Sequence, residues 1–243
     1  MLVLKALFRL WAVLCVAAGA GTGAGQPFGL NVDIDAPGTP PQAGGGRPSS
    51  SFAAAGGQPG YWNAIPLLHQ GPLPLFGLGG EPTTAALSMA GGYTGLAYNL
   101  PINTGDFALL LNDATQIGEF LRYTVSGLEP GRYIVYTYSA KPNGQYGEAD
   151  ITVLGATAPN PQRVSGIMPG NRLEYLLTHS IHEVDIQGGE LQIRSVAPWP
   201  NGFINGFQIV PVTEPCALLA LAALSVALVS SKTRRKMRRT GVE

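Results

Sequence analysis

The chain has 243 residues, 33 of them Gly and 20 Pro, with 45 % hydrophobic and only 12 % charged side chains. That composition supports the core of one ordinary domain plus extensions, while three His and two Cys leave little material for a metal cluster or a disulfide framework. The net charge of zero conceals an uneven layout: residues 25–231 hold seven basic and fourteen acidic side chains, and the other basic residues lie outside them. The body therefore lacks the cationic surface that binding to nucleic acid requires.

In chain order, residues 1–24 read as a secretory signal peptide for signal peptidase. Lys5 and Arg9 form the basic region, Leu10 to Ala18 the apolar one, and cleavage fits after Ala20 or Ala24. Residues 25–60 hold one strand, Leu30 to Asp35, in which apolar and polar residues alternate, and then a Gly/Pro-rich segment. That segment, 36–60, shows no periodicity and reads as a long loop over a folded body or as a mobile stretch. Residues 61–212 carry recurring strand signals: Thr84 to Met89, Phe120 to Ser126, Arg132 to Ser139, Glu148 to Leu154, Leu173 to Thr178, Ile181 to Gln187, Glu190 to Val196 and Phe203 to Val212. Asp106 to Asp113 has an unbranched apolar run and predicts a short helix, with Thr104 as its cap and Asp106 favourable in its first turn. Gly188-Gly189 reads as a hairpin turn. The expected fold is all-β: an antiparallel, jelly-roll-like β-sandwich of eight or nine strands with one short helix, leaving no room for βαβ units.

The C-terminal stretch has three parts in order. Val212, Thr213, Glu214 and Pro215 precede a 14-residue apolar run, 216–229, extended to 231 by two serines. Residues 232–239 then carry six basic side chains, Lys232, Arg234, Arg235, Lys236, Arg238 and Arg239. The apolar run alone falls short of the ~17–20 residues of an ordinary membrane span, but with Ser230 and Ser231 it just crosses, so residues 216–231 are expected to form a C-terminal transmembrane helix. Its basic flank would stay cytoplasmic. This order resembles the PEP-CTERM sorting signal, with Thr213 standing where that motif has its first Pro. The resemblance implies recognition by an exosortase, a transient membrane anchor, cleavage near Glu214-Pro215, and a final place at the cell surface or outside the cell. A plain membrane anchor that keeps its basic tail is the alternative. Two further segments, Ser126 to Tyr136 with its Leu-Glu-Pro-Gly turn and Phe203 to Pro211 with its Asn-Gly step, resemble secreted β-sandwich modules and galactose-binding-like jelly rolls. Ser50 to Asn63 is similar to a segment near the start of planctomycete-type PEP-CTERM proteins.

The candidates for chemistry are few. Asp33 and Asp35 lie two apart on a strand, so both carboxylates share one face, an oxygen-rich pattern that suits calcium; no other cofactor is indicated. His179 and His182, three apart on a strand, fall on opposite faces and suit no shared metal. Trp199, held between Pro198 and Pro200, is the leading platform for a sugar face. Trp62, Tyr136 and Tyr138 are further candidates, each of which could equally be a core plug. The Gly-rich Gly77 to Gly80 precedes no Lys, so it is not a phosphate loop. No catalytic set emerges. The expectation is non-catalytic contact, with extracellular polysaccharide as the ligand class, against a secreted carbohydrate-active enzyme using carboxylates such as Asp33, Asp35, Glu148 or Asp150.

Overall fold

The computed structural model describes residues 27–197 and 202–212. The signal peptide, Thr213 to Pro215, the apolar run, the basic tail and Trp199 lie outside the described residues. Among the described residues no helix is long and apolar enough to cross a membrane.

Fourteen strands among the described residues form three sheets. They are β1 Leu30–Asp35, β2 Trp62–Pro66, β3 Leu73–Phe76, β4 Pro82–Gly91, β5 Thr94–Ala97, β6 Asp113–Gln116, β7 Leu121–Ser126, β8 Gly131–Tyr138, β9 Gly147–Val153, β10 Gln162–Gly166, β11 His179–Ile186, β12 Glu190–Val196, β13 Phe203–Ile204 and β14 Gly206–Pro211. Among the described residues, one helix, α1, spans Asp106–Leu111, and one 3-10 turn spans Pro41–Ala43. The five-stranded sheet runs β11-β8-β14-β1-β2, the six-stranded sheet β10-β9-β12-β7-β4-β3, and a small third sheet β13-β6-β5.

Alternation builds the sandwich. In β7, Leu121, Tyr123 and Val125 are buried while Arg122 and Ser126 are exposed. In β8, Tyr133, Val135 and Thr137 face inward. Together with Leu30, Val32, Ile34, Phe207, Ile209, Ile151 and Ile193, the apolar members of these strands form one core between the two large sheets. The Tyr123 and Phe207 rings meet at 5.7 Å. Burying one such side chain is worth about 1.5–3 kcal/mol, so this inner layer supplies the main driving force.

Several expectations are corrected. The sandwich is not wholly antiparallel, because β1 pairs β2 in parallel, with Asn31 opposite Trp62 and Ile34 opposite Ile65. Gly188-Gly189 does not close a hairpin: β11 lies in the five-stranded sheet and β12 in the six-stranded one. The Gly127 to Pro130 turn likewise carries the chain from β7 across to β8. A turn sequence signals reversal, not which sheet receives the next strand, and crossing at successive turns is the jelly-roll arrangement. Leu173 to Thr178 forms no strand; it is a turn holding Leu176 at φ 61°. Thr104 does not cap α1, whose N-cap is Gly105 without a side-chain bond.

The closing strand breaks at Asn205. Its Nδ2 donates to the Leu111 and Asp113 carbonyls, and its Oδ1 accepts from the Ala140 N–H at 2.7 Å. Gly206 follows because a Cβ there would lie 2.4 Å from the Val32 carbonyl. Residues 30–35 belong to the same body as strands β2 to β14, since β1 sits between β14 and β2.

Candidate functional site

The outer face of the five-stranded sheet is covered on one side and open on the other. Residues 49–58 lie over β1 and β14. The Gln208 side-chain amide holds them there: its Nε2 donates to the Ala53 carbonyl, and its Oε1 accepts from the Gly56 N–H. Tyr138 falls under this cover. Its hydroxyl donates to Gln208 Oε1 at 2.5 Å and accepts from the Ala55 N–H at 2.9 Å. Trp62 is also fully buried, against Leu110, Leu111, Tyr138 and Met168, with its indole N–H on the Phe52 carbonyl. Neither ring offers a face to a ligand, so both serve as core plugs.

Tyr136 stays half-buried on the open side, two residues before Tyr138 on the same strand face. Strand β11 runs beside it, with Ile181 opposite Tyr136 and His179 opposite Tyr138. His179 is a hub for three tyrosines: its ring lies 6.1 Å from Tyr136, 5.9 Å from Tyr138 and 6.3 Å from Tyr175. Burial draws its pKa down to about 4, so at neutral pH the ring is an uncharged spacer. Tyr175 is 50 % exposed. The sequence does not single it out, because residues 173–178 read there as a strand, whereas the turn they form lifts Tyr175 beside the end of β11. Tyr136 and Tyr175, with half-buried Ile134 and Ile181, make an aromatic and aliphatic surface on β8, β11 and the turn before it.

His182 points the other way, as the strand period requires. It is buried with Ser180, Val184 and Ile186 on the inner face, and neither ring nitrogen has a hydrogen-bond partner. Burial lowers its pKa to about 4 as well.

The carboxylates of interest occupy a different place. Asp33 and Asp35 share the outer face of β1, as the spacing predicts, and there Asp113 of β6 joins them. Asp35 Oδ1 accepts from the Gly46 N–H, and Asp113 Oδ2 from the Ala36 N–H, each at 2.9 Å. Gly44, at φ 88°, closes over this set; a Cβ there would lie 2.5 Å from Asp113 Cγ. Asp33 is completely buried, and both of its carboxylate oxygens lack a partner, as does Asp113 Oδ1. Burial pushes the Asp33 carboxyl well above the ordinary range, with the charges of Asp113 and Asp35 adding to the rise. Asp113 is raised for the same first reason, against the pull of the Ala36 N–H. The free oxygens of Asp33 and Asp113 suit a hard cation in donor type. Calcium, however, takes about six to eight oxygens, and among the described residues no group of three or more His, Cys, Asp or Glu is arranged to hold a metal. A cation here would need backbone carbonyls or water beside the two carboxylates.

Glu148 and Asp150 are engaged elsewhere. Arg163 on the neighbouring strand reaches Glu148 Oε1 at 3.0 Å and Asp150 Oδ1 at 2.8 Å, and this pairing lowers the Asp150 carboxyl. Of the four carboxylates considered for hydrolysis, Asp33 and Asp35 lie under a loop, and Glu148 and Asp150 are both ion-paired with Arg163.

Fold and site together define a two-sheet β-sandwich with an aromatic outer face. No family model and no curated protein matches the chain. Solved structures similar to it include the family 35 carbohydrate-binding module from Clostridium thermocellum, at 13 % identity over 52 % of this chain and 92 % of that one, TM-score 0.32. The CBM35 from Cellvibrio japonicus Abf62 is 16 % identical over 53 % of this chain and 94 % of that one, TM-score 0.31. A CBM61 module solved with β-1,4-galactotriose is 17 % identical over 52 % and 88 %, TM-score 0.28. At these scores the likeness carries no argument about ligand or activity.

Proposed function

We propose that the protein is exported and acts by non-catalytic contact with carbohydrate, and that an exosortase-type pathway delivers it to the cell surface or the extracellular matrix. The observation that carries the binding reading is the open face formed by Tyr136 and Tyr175 around the uncharged His179. Sugar rings present C–H faces that stack on such aromatics. The state of the carboxylates supports binding over hydrolysis, because glycosidase chemistry needs two carboxyl groups about 5–10 Å apart across a cleft that substrate can enter. Asp33 and Asp113 are buried, and Glu148 and Asp150 are paired with Arg163.

The test is retention of the purified protein on insoluble neutral polysaccharides. Tyr136→Ala and Tyr175→Ala are each expected to weaken retention about 10-fold, in line with the ~1–1.5 kcal/mol of an aromatic contact, with unchanged circular dichroism. Equal retention of both variants would remove the outer face from the reading. The sorting proposal has its own readout, the intact mass of protein recovered from its host: loss of the residues after Glu214 supports processing, and retention of Arg234 to Arg239 supports a plain anchor.

A further inference from the structure

On the outer face of the six-stranded sheet, two arginines stand directly opposite each other. Arg122 of β7 pairs in register with Arg194 of β12. Both are exposed, while their strand neighbours Leu121, Tyr123, Ile193 and Ser195 turn inward and are buried. Directly opposed side chains on antiparallel strands have Cβ atoms about 4.5–5.5 Å apart, and like charges placed so repel.

The pair stands apart from the other cations of the body. Residues 25–231 hold seven basic side chains against fourteen acidic ones, so partners are plentiful, and the other five basic side chains have one. Arg132 pairs with Glu183, Arg163 with Glu148 and Asp150, and Arg172 with Glu174. Arg47 lies 4.8 Å over the Tyr61 ring and Lys141 5.8 Å over that of Phe203. The side chains of Arg122 and Arg194 have no ion pair or hydrogen bond among the described residues. The sheet around them supplies no counter-charge. Thr152 lies beside Arg194 and Ala90 beside Arg122, and the next row along is Gln192, Thr124 and Ser88. The acidic groups beyond these rows are engaged: Asp150 accepts from Nε and Nη2 of Arg163, each at 2.8 Å, and Glu190 accepts from Gln192 Nε2 at 2.6 Å.

We infer that Arg122 and Arg194 together bind one compact tetrahedral dianion, a phosphate group, either free or as a monoester. Two guanidinium forks stay charged at any working pH and each can hold an oxyanion bidentately. A phosphate group answers them with a charge of about −1.5 to −2 at neutral pH and at least three acceptor oxygens, and it turns the repulsion within the pair into two attractions. A carboxylate has one charge and two oxygens, which a single fork satisfies. A polyanion does not fit either, because two cations would hold one of its groups and leave the rest over an acidic body. The site lies on the sheet opposite the Tyr136 and Tyr175 face and does not depend on the carbohydrate reading.

The test is a titration of the purified protein at pH 7.5 and constant ionic strength, following the Nε–H signals of the arginines by nuclear magnetic resonance. The probes are inorganic phosphate, glucose 6-phosphate as a monoester, and acetate as a monoanion. The expected result is a saturable shift of the Arg122 and Arg194 signals with phosphate in at least one form and no saturable shift with acetate. Equal affinity for the two phosphates assigns the free ion, and tighter binding of the ester assigns a monoester. Arg122→Gln and Arg194→Gln, both at exposed strand positions, are each expected to weaken binding at least ~10-fold while the backbone signals of the strands stay in place. Arg172→Gln and Tyr136→Ala are expected to leave binding unchanged. The inference is overturned if neither phosphate shifts the pair saturably, if acetate binds as tightly, or if binding survives in a folded Arg122→Gln or Arg194→Gln.

Discussion

Asp33 and His182 are both buried polar groups without partners, and they oppose each other in pH. Asp33 has a folded pKa above its unfolded value, so its neutral form favours the fold. Its contribution is fully present below an unfolded value of about 4 and is lost as pH rises through the raised folded value. His182 and His179 have folded values depressed to about 4 from 6.5, so their contribution is present above 6.5 and is lost as pH falls through about 4. Stability should therefore decline on both sides, and the two limbs belong to different residues. Asp33→Asn keeps the shape and removes the charge; it is expected to raise stability at neutral pH by about 1–3 kcal/mol and to flatten the alkaline limb of a thermal-melt series. His182→Leu should flatten the acid limb only. The same series run with and without calcium tests whether the carboxylates take that ion: calcium should raise the melting temperature of the unaltered protein above neutral pH and leave Asp33→Asn unmoved. A calcium effect that survives Asp33→Asn places the ion elsewhere, and no effect in either protein removes calcium from the account. The sequence exposes Asp33 and Asp35 as a same-face pair, but Asp113 lies 78 residues beyond Asp35 and becomes its neighbour only through the pairing of β6 with β13.

At the scale of elements, the parts legible in the sequence are those whose two faces differ. Phe120 to Ser126, Arg132 to Ser139 and Glu190 to Val196 alternate because one face meets the core and the other meets water, and the strands lie within a residue of those bounds. Asp113–Gln116 escapes the pattern because all four residues are buried, which removes the alternation, and Thr94–Ala97 because all four are half-buried. The Gly/Pro-rich segment is open to two readings in sequence, loop over a body or mobile stretch. The structure orders it over the body with side chains borrowed from elsewhere. Asp106 in α1 accepts from both the Ser49 N–H at 2.6 Å and the Ser49 hydroxyl at 2.8 Å. Asp106→Ala removes both. The expected cost is modest, about 1 kcal/mol, because the group is exposed, and it should be local. Amide hydrogen exchange is expected to quicken across residues 44–52 and the first turn of α1, with β7 to β9 unchanged. Quickening spread evenly over the sandwich would show instead that the contact supports the whole fold.

At the scale of the whole molecule, the proposed binding face is uncharged and the body around it is acidic. Between residues 25 and 231 there are seven basic and fourteen acidic side chains, so the body repels anionic polymers at a distance set by a Debye length of about 8 Å at physiological salt. The proposed Tyr136 and Tyr175 face carries no charge, and stacking brings no counterion release. Retention on a neutral polysaccharide should therefore be nearly flat between low salt and ~0.5 M sodium chloride. Retention on an acidic polysaccharide should be weak at low salt and should rise, if it changes at all, as screening removes the repulsion. A protein that bound through exposed cations would show the reverse, a steep loss with salt on the acidic polymer. The unprocessed chain supplies the internal control. Its six basic residues at 232–239 should add a salt-sensitive component on the acidic polymer that vanishes with the tail, so that one pair of salt series reads both the chemistry of the sandwich and the state of its C-terminus.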